Sequence, residues 1–460
     1  MHTKQQSGIV IIYELLIIFI FSTLMVAVVS YSAYQLKAIR SAVNREQAFQ
    51  IAEAGNNYYQ WHLAHFPADF KDGTGAAGPY IHDYLDKDTN TVIGRYSLDI
   101  TPPATGSTIV TIISTGYTLA NPAQKRIITS RYGIPSLAKY AFLTNSDVWI
   151  GGTESVNGQF HSNGGVRFDG TGNAPIASAK VTYTCQSWSG SPCPATKNGI
   201  WGAAPASTKS FWKFPVPNVD FSTITSDLAA IKTGAQTAGI YLPPSSAQGY
   251  SLVFNADATV SVYKVTSLRA HATGWDVSGN AHNEDLDYNA RALQFTQAIP
   301  SNGLIYVEDR TWVEGTVAGR ALVAAARLPY SPAIAPSILI PNNLIYSTRD
   351  GSVELGLIAQ QDVLVTYFAP NNLEIDAAMI AQNGSTQRYY FPGNIKTSIL
   401  IYGSLSTYGV WTWSWVDGSN NIVSGYTTTS TVYDANLLYG PPPSFPLAQD
   451  TYQQISWSSN

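Results

Sequence analysis

The side chains best suited to hydrolytic chemistry are His161, Ser162 and Asp169. A serine, a histidine and a carboxylate form a hydrolase triad, in which the histidine takes the proton of the serine hydroxyl. Such a serine needs a sharp turn between a strand and a helix to expose it. The sequence His-Ser-Asn-Gly lacks that pattern and is more typical of a simple turn. We therefore predict no catalytic residue here.

A second polar group could bind a cation, and its members are His282, Glu284, Asp285 and Asp287. Oxygen ligands at this spacing can hold calcium, but the Asp-x-Asp-x-Asp-Gly pattern of a calcium loop is missing, and the segment is more typical of a solvated loop. The other acids are too scattered to assign a pair for glycoside cleavage. No glycine motif for nucleotide phosphates precedes a helix. The sequence therefore predicts no metal, no cofactor and no enzymatic activity.

Three tryptophans, Trp411, Trp413 and Trp415, alternate with small polar residues. In a strand this spacing places all three rings on one face. Such a row could stack on sugar rings and bind surface glycans. The same rings could instead fill one side of a β core or lie beneath the C-terminal segment, because fully exposed rows of tryptophan are uncommon.

Cys185 and Cys193 are the only cysteines, and the stretch between them contains glycine and proline. This spacing suits a local disulfide bond, which would place the region in an oxidising compartment. Two cysteines without a nearby histidine cannot supply the four ligands of a zinc site. Two unpaired thiols on a loop are the alternative.

The charge balance argues against a nucleic-acid partner. The 460 residues include 26 Lys and Arg against 30 Asp and Glu, which gives a formal net charge of −4. Charged residues make up 12% of the chain, while tyrosine, tryptophan and glycine are plentiful. This composition favours β structure outside the cytosol, and it predicts no binding to nucleic acid.

The elements that must position these groups begin with a long N-terminal helix. Residues 1–8 are polar, and residues 9–31 are apolar apart from Glu14 and a few hydroxyl groups. The apolar run is long enough to cross a bilayer, and no Ala-x-Ala cleavage site follows it. Helical periodicity continues to about Phe66, where Pro67 stops it. We therefore predict a retained single-pass membrane helix that continues as an amphipathic rod over residues 9–66.

Glu14 is the informative residue of this helix, because a carboxylate within a hydrocarbon span is costly and usually has a partner or a function. If a peptidase cut after Gly8, the new amine of Ile9 on a neighbouring subunit could supply the opposite charge. Alternatively, Glu14 lies close enough to the membrane surface to reach water.

The polar leader ending in Gly8, the apolar helix with one early glutamate and the segment 45–55 (Arg-Glu-Gln-Ala-Phe-Gln-Ile-Ala-Glu-Ala-Gly) resemble a type IV prepilin. The resemblance is greatest to minor pilins with a PilX-type N-terminus. It implies that residues 1–8 are a prepilin leader and that Ile9 is the N-methylated first mature residue. Two features differ from the family: Ile9 stands where Phe is commoner, and Glu14 is the sixth mature residue rather than the fifth.

Residues 67–137 predict a small antiparallel β head. Runs rich in Val, Ile, Thr and Tyr at 94–101, 107–117 and 124–132 are separated by turn sequences. We expect this sheet to pack on the outer half of the helix. The resemblance to pilins implies the same arrangement.

Residues 138–440 predict a larger β domain, in which short β runs broken by Gly and Asn recur irregularly about every 20 to 30 residues. We expect a right-handed β-helix (β-solenoid), with a helical and hairpin region inserted near 218–300 and a C-terminal strap at 441–460. A sandwich is the alternative. The fold class is thus mainly β with one long N-terminal α-helix. These blocks and the tail resemble an uncharacterised domain that bacterial envelope proteins attach to pilin-like N-termini.

These features predict a minor pilin-like structural or adhesive subunit of a type IV pilus or related secretion filament. Its expected partners are other pilins or pseudopilins, prepilin peptidase, the membrane and surface glycans. It would lie in the cytoplasmic (inner) membrane with its C-terminal domain outside, and reach the cell surface or pilus after assembly. The alternative is a membrane-tethered β-helix protein that binds or acts on polysaccharide.

Overall fold

The computed structural model describes residues 6–221, 223–283, 286–419 and 421–460. The chain divides into two compact units. The first contains the chain up to Pro102, Val110–Gly133 and Thr451–Asn460, and the second contains Pro103–Ile109 and Ile134–Asp450. The fold is mainly β, with one long N-terminal helix and an antiparallel sheet.

The first unit is built on helix α1, which spans Gln6–His65 without a break. It ends two residues before Pro67, as the steric effect of a proline on its predecessor requires. Four strands follow: β1 (Tyr80–Leu85), β2 (Val92–Thr101), β3 (Val110–Thr118) and β4 (Asn121–Gly133). They pair antiparallel in chain order.

The second half of α1 packs closely on this sheet. Ala48, Ile51 and Ala52 are buried, as are residues of β2 and β3 that alternate along each strand. The contact is tight because Gly116 of β3 faces the helix: a methyl group there would lie 2.3 Å from the Ala48 oxygen and the Ala52 nitrogen. Small residues on both elements therefore set the distance between helix and sheet.

The last residues of the chain differ from the expected strap at 441–460. Gln453–Ser459 is a strand that pairs antiparallel with β4 and becomes an edge of the small sheet. Ile455 and Trp457 alternate with polar residues, which is a strand pattern. Trp457 packs edge-on against Phe49 of α1, with 6.2 Å between ring centroids. The proline-rich part of the tail stays in the second unit, where Phe445 is buried.

The second unit contains three series of short parallel strands. In the first series each strand pairs with the next in this order: Ile240–Leu242, Leu304–Val307, Arg320–Ala325, Glu354–Ala359, Asn372–Ala381, Ile395–Thr407, Phe142–Thr144, Phe160–Ser162, Ile176–Ser178 and Trp212–Lys213. The segment that comes first in the chain, from Phe142, thus follows the segment that ends at Thr407. Pairing is parallel throughout the series, whereas a sandwich would need antiparallel sheets.

Most strands of the second and third series lie between strands of the first along the chain, and Asn372–Ala381 and Ile395–Thr407 belong to both the first and the third series. The second contains Gly249–Phe254, Thr311–Val317, Ile338–Ile340, Val363–Val365, Thr386–Gln387 and Trp411–Thr412. A separate sheet contains Val148–Ile150, Val166–Phe168 and Ile200–Trp201. The third series runs from Thr311–Val317 through Leu344–Tyr346, Asn372–Ala381, Ile395–Thr407, Ile422–Tyr433, Ser155–Asn157 and Thr171–Gly172.

Register aligns apolar side chains along the first series. The paired positions are Ile240, Ile305, Val323, Leu357, Met379, Leu405, Phe142, Phe160 and Ile176. All of them belong to one buried cluster. Repeated burial of one strand face is why short, individually weak strands are stable here.

The second unit also contains antiparallel strand pairs and helices. Strand Thr259–Leu268 pairs with Gly249–Phe254 and with Tyr288–Ala298. The smaller pairs are Thr182–Cys185 with Ala195–Asn198, Gly274–Trp275 with Ala281–His282, and Ser414–Val416 with Ile422–Tyr433. The helices are Ala206–Lys209, Thr223–Ala238 and the 3-10 turns Leu137–Lys139, Ser187–Ser189 and Ala435–Leu438.

Candidate functional site

The clearest functional surface is the first half of α1. Large apolar side chains are exposed from Ile9 to Tyr31, and the helix is long and apolar enough to cross a membrane. A soluble domain rarely exposes so large a continuous apolar surface, because water contact costs about 25 cal/mol per Å². This half of α1 needs a lipid bilayer or other helices around it.

Gly8, Ile9 and Glu14 all lie within α1, whereas the start of the predicted leader, residues 1–5, is outside the described residues. Glu14 follows Ile9 by five residues, which is about 140° around the helix and about 7.5 Å along it. Side chains face each other at spacings of three or four residues and not five. An Ile9 amine and the Glu14 carboxylate of one chain would thus point to different sides of the helix.

Two histidine–aspartate contacts hold the loop after α1, one to the end of the helix and one to β1. The Nε2 atoms of His62 and His82 lie 3.1 Å from Asp69 Oδ2 and 2.7 Å from Asp72 Oδ2. The backbone N–H of Lys71, followed by other donors, stabilises the Asp69 carboxylate and lowers its pKa. These contacts fix the loop that connects the helix to β1, and they are structural.

Trp411, Trp413 and Trp415 do not form an open row. Trp413 is 2% exposed and belongs to the main core, and Trp411 packs edge-on against it at 6.4 Å. Trp415 Nε1 donates to the Arg388 carbonyl. The strand breaks at Trp413, between Trp411–Thr412 and Ser414–Val416, so the alternation does not continue. Trp413 is thus a core residue and has no exposed face for a sugar.

A different aromatic row was not anticipated from the sequence. Trp149, Arg167 and Trp201 occupy paired positions on three parallel strands. The Arg167 guanidinium lies 4.6 Å and 5.0 Å from the Trp149 and Trp201 ring centroids, and Lys197 Nζ lies 4.9 Å from the Trp201 centroid. The similar blocks Val-Trp-Ile and Val-Arg-Phe could have indicated this stacking. The row is therefore held together by cation–π contacts.

Cys185 and Cys193 are joined by a disulfide bond. The enclosed loop is held by Arg167, whose Nη1 donates to the Ser189 carbonyl. Asp169 accepts hydrogen bonds from Arg167 Nε and Trp149 Nε1, both at 2.8 Å. The disulfide loop and the aromatic row are therefore one packed structure.

The groups with hydrolytic potential are not brought together. Ser162 Oγ donates to the Ser146 carbonyl, and His161 Nε2 contacts Asn163 Oδ1 at 3.0 Å. Burial lowers the pKa of His161. Asp169 is engaged by Arg167 and Trp149, as described above. The three residues each have separate structural partners.

The polar segment 282–287, expected to be a solvated loop, is only partly described, since Glu284 and Asp285 lie outside the described residues. His282 Nε2 contacts Asp276 Oδ2 at 2.9 Å, and Asp287 is buried and accepts from the Phe368 N–H. Asp287 is thus not part of a solvated loop, which corrects that expectation. Over the described ranges, no three His, Cys, Asp or Glu side chains are grouped as metal ligands.

Comparisons with known proteins add little. No protein-family model and no curated protein matches the chain. Among solved structures, the competence-associated pilin ComZ from Thermus thermophilus is similar at 13% identity, over 91% of this chain and 97% of that chain, with a TM-score of 0.30. At that TM-score no argument rests on the similarity.

Proposed function

We propose that this protein is a minor pilin-like structural or adhesive subunit of a type IV pilus or related secretion filament. The observation that carries the proposal is the continuous helix α1, whose first half is an exposed apolar span and whose second half packs on an antiparallel sheet. A membrane anchor alone would not need to continue as one unbroken helix into the core of a folded unit. Such continuity suits a helix that is also a building element of a filament.

In this proposal prepilin peptidase cuts after Gly8, and Ile9 becomes the methylated N-terminus. The carboxylate of Glu14 then pairs with the amine of a neighbouring subunit, since its own chain places that amine on another side of the helix. The partners are other pilins or pseudopilins. Before assembly the chain resides in the inner membrane with its β units outside the cytoplasm.

We further propose that the three parallel series are the faces of a β-solenoid. Strand order supports this, because successive chain segments visit the first, second and third series in turn, for example Arg320–Ala325, Ile338–Ile340 and Leu344–Tyr346. A head of this size would crowd a repeating filament, which favours a minor position. The head is proposed to be non-enzymatic. The buried Trp413 gives no support to the alternative of a tethered polysaccharide-binding protein.

The proposal is tested by the intact mass and N-terminal sequence of the protein from its own host's envelope. The expected chain begins at Ile9 and carries one added methyl group. A chain that retains residues 1–8 would contradict the pilin proposal.

Assembly is tested separately with Glu14→Gln, which removes the charge and keeps the shape. We expect normal processing and membrane residence but reduced recovery in sheared filaments. Glu46→Gln, on the same helix outside the apolar span, is the matched control. Equal recovery of both variants would exclude a role for Glu14 in assembly.

A further inference from the structure

A groove of about 470 Å³ lies beside α1 just beyond its apolar segment. Its helical wall consists of Ala33, Leu36, Lys37, Arg40, Ser41 and Asn44. These positions repeat every three or four residues and so form one face of the helix. Asn121, at the start of β4, closes the opposite side. We call this feature the juxtamembrane groove.

The juxtamembrane groove is positively charged. Lys37 and Arg40 both line it, and no acidic side chain does. Within the part of the chain that the structure describes, neither cation has a carboxylate within ion-pair distance. Two neighbouring cations without a counter-charge repel each other, so an anion in the groove would be stabilised by both.

Two hydrogen bonds hold the polar side chains of the groove in place. Asn121 Nδ2 donates to Gln124 Oε1, and Gln124 Nε2 donates to Ser41 Oγ, both at 3.2 Å. These two hydrogen bonds join the start of β4 to the helix. Because Ser41 Oγ accepts from Gln124, its own hydrogen can point to an anion. Hydroxyl and amide donors beside two cations suit a phosphate group.

The groove lies at the level expected for lipid headgroups. Residues 9–31 cover about 34 Å at 1.5 Å per residue, slightly more than the hydrocarbon thickness of about 30 Å. Lys37 follows Tyr31 by six residues, about 9 Å along the axis. Side chains on a helix point toward its N-terminus, which here is toward the membrane. Tyr31 and Tyr34, both exposed, mark the interface between hydrocarbon and water.

We propose that the juxtamembrane groove binds the phosphate of an anionic phospholipid, with Lys37 and Arg40 as the charged ligands. The inference rests only on the membrane residence of α1, and it holds whether or not the chain enters a filament. Its consequence is a fixed depth and rotation of α1 in the bilayer, because a bound headgroup touches one face of the helix.

The test uses the full chain in nanodiscs made from equal parts of phosphatidylglycerol and phosphatidylcholine. After mild extraction with detergent, native mass spectrometry measures which lipid stays bound. We expect phosphatidylglycerol to be enriched, and Lys37→Gln with Arg40→Gln to reduce the enrichment about fivefold for each cation removed. Lys71→Gln with Lys87→Gln is the matched control, because it removes the same charge beyond the far end of α1.

Two further arms distinguish lipid binding in the groove from general attraction to surface charge and from binding of free phosphate. Asn121→Ala keeps every charge, so a partial loss of phosphatidylglycerol enrichment would show that the groove itself binds the lipid. Unchanged enrichment would mean that surface charge alone attracts the lipid, and it would overturn the proposal. Inorganic phosphate at constant ionic strength should not displace the lipid; displacement would assign the groove to free phosphate. Equal retention of both lipids by the unmodified chain would also overturn the proposal. A chain that fails to enter nanodiscs would instead contradict membrane residence and the proposed function with it.

Discussion

The Glu354 carboxyl is fully buried in the second unit, and its pKa is raised to about 8, first by that burial and then by the neighbouring Asp434 carboxylate. The Tyr346 hydroxyl donates to Glu354 Oε2 at 3.4 Å. At neutral pH the folded protein keeps a proton on Glu354 that an unfolded chain would have lost. This raised pKa stabilises the folded state. The stabilisation is fully present below the unfolded pKa of about 4.5 and is lost as the pH rises through about 8.

We therefore expect the second unit to lose stability between about pH 5 and pH 8, by up to about 1.4 kcal/mol for each pH unit. Glu354→Gln keeps the shape and cannot ionise, so its melting temperature should change much less over this range. Thermal unfolding of both proteins across the pH series measures the difference, with the exposed Asp450→Asn as control. Parallel pH profiles for the unmodified chain and Glu354→Gln would show that Glu354 does not carry the dependence.

The sequence was informative for residues whose context is local. Glu14 stands out because its neighbours are apolar, and the two cysteines could be paired because they are close in the chain. Trp413 and Asp287 could not be placed, because their burial depends on segments far away in sequence. Arg167 was missed for the same reason: its stacking partners come from other strands.

At the level of elements, the contact between α1 and β3 depends on Gly116. A methyl group at this position would lie 2.3 Å from two backbone atoms of the helix, which cannot move aside as a flexible side chain could. We expect Gly116→Ala to destabilise the first unit by about 1–3 kcal/mol, the range for overpacking. Chemical unfolding followed by far-ultraviolet circular dichroism measures the change. Gly152→Ala is the control, since nothing lies within 4 Å of its added methyl group, and a similar loss in both variants would contradict the argument.

Arg320 joins several loops of the second unit. Its Nη2 donates to the carbonyls of Gly106, Gly440 and Pro441, and its Nη1 donates to the carbonyl of Gly351. Burial lowers the pKa of Arg320. This side chain therefore holds the tail around residue 440 through several backbone acceptors.

Arg320→Gln should leave several of these carbonyls without a donor and cost about 3 kcal/mol, since an unsatisfied buried group costs about 1–3 kcal/mol. The tail around residue 440 should also become sensitive to protease. Limited proteolysis with mass mapping, beside urea unfolding, checks both. Lys180→Gln removes one exposed cation from the same unit and should change neither result. If Arg320→Gln were cleaved no faster than the unmodified chain, Arg320 would not be what holds the tail in place.

Element prediction succeeded where the pattern was long and periodic. The helix was expected over residues 9–66, and α1 spans Gln6–His65. The strand Gln453–Ser459 was missed, because it is short and its partner β4 lies about 320 residues earlier in the chain. Register between distant segments is set by shared burial, which a single sequence does not display.

At the scale of the whole molecule, chain order and spatial order differ. Strand Phe142–Thr144 pairs with Ile395–Thr407, so an early segment completes a series that the late segments begin. This pairing can form only after the chain has been synthesised as far as Thr407. Contacts of such large sequence separation favour slow folding of the second unit.

The two units have separate hydrophobic cores, one between α1 and the small sheet and the other inside the parallel series. Units with their own cores generally unfold as separate cooperative steps. Nine of the eleven tryptophans belong to the second unit, whereas the long helix belongs to the first. Tryptophan fluorescence and helical circular dichroism therefore report mainly on different units.

We expect Gly116→Ala to lower the melting temperature seen by helical circular dichroism and to leave the fluorescence transition in place. Arg320→Gln should do the opposite. The full chain in detergent is suitable for both measurements, and calorimetry should resolve two transitions, each shifted by one variant only. Mutations at distant sites without shared partners are usually additive, so the double variant should show both shifts unchanged. If either single variant moved both transitions by the same amount, the chain would unfold as one cooperative body and the division into two units would have no energetic meaning.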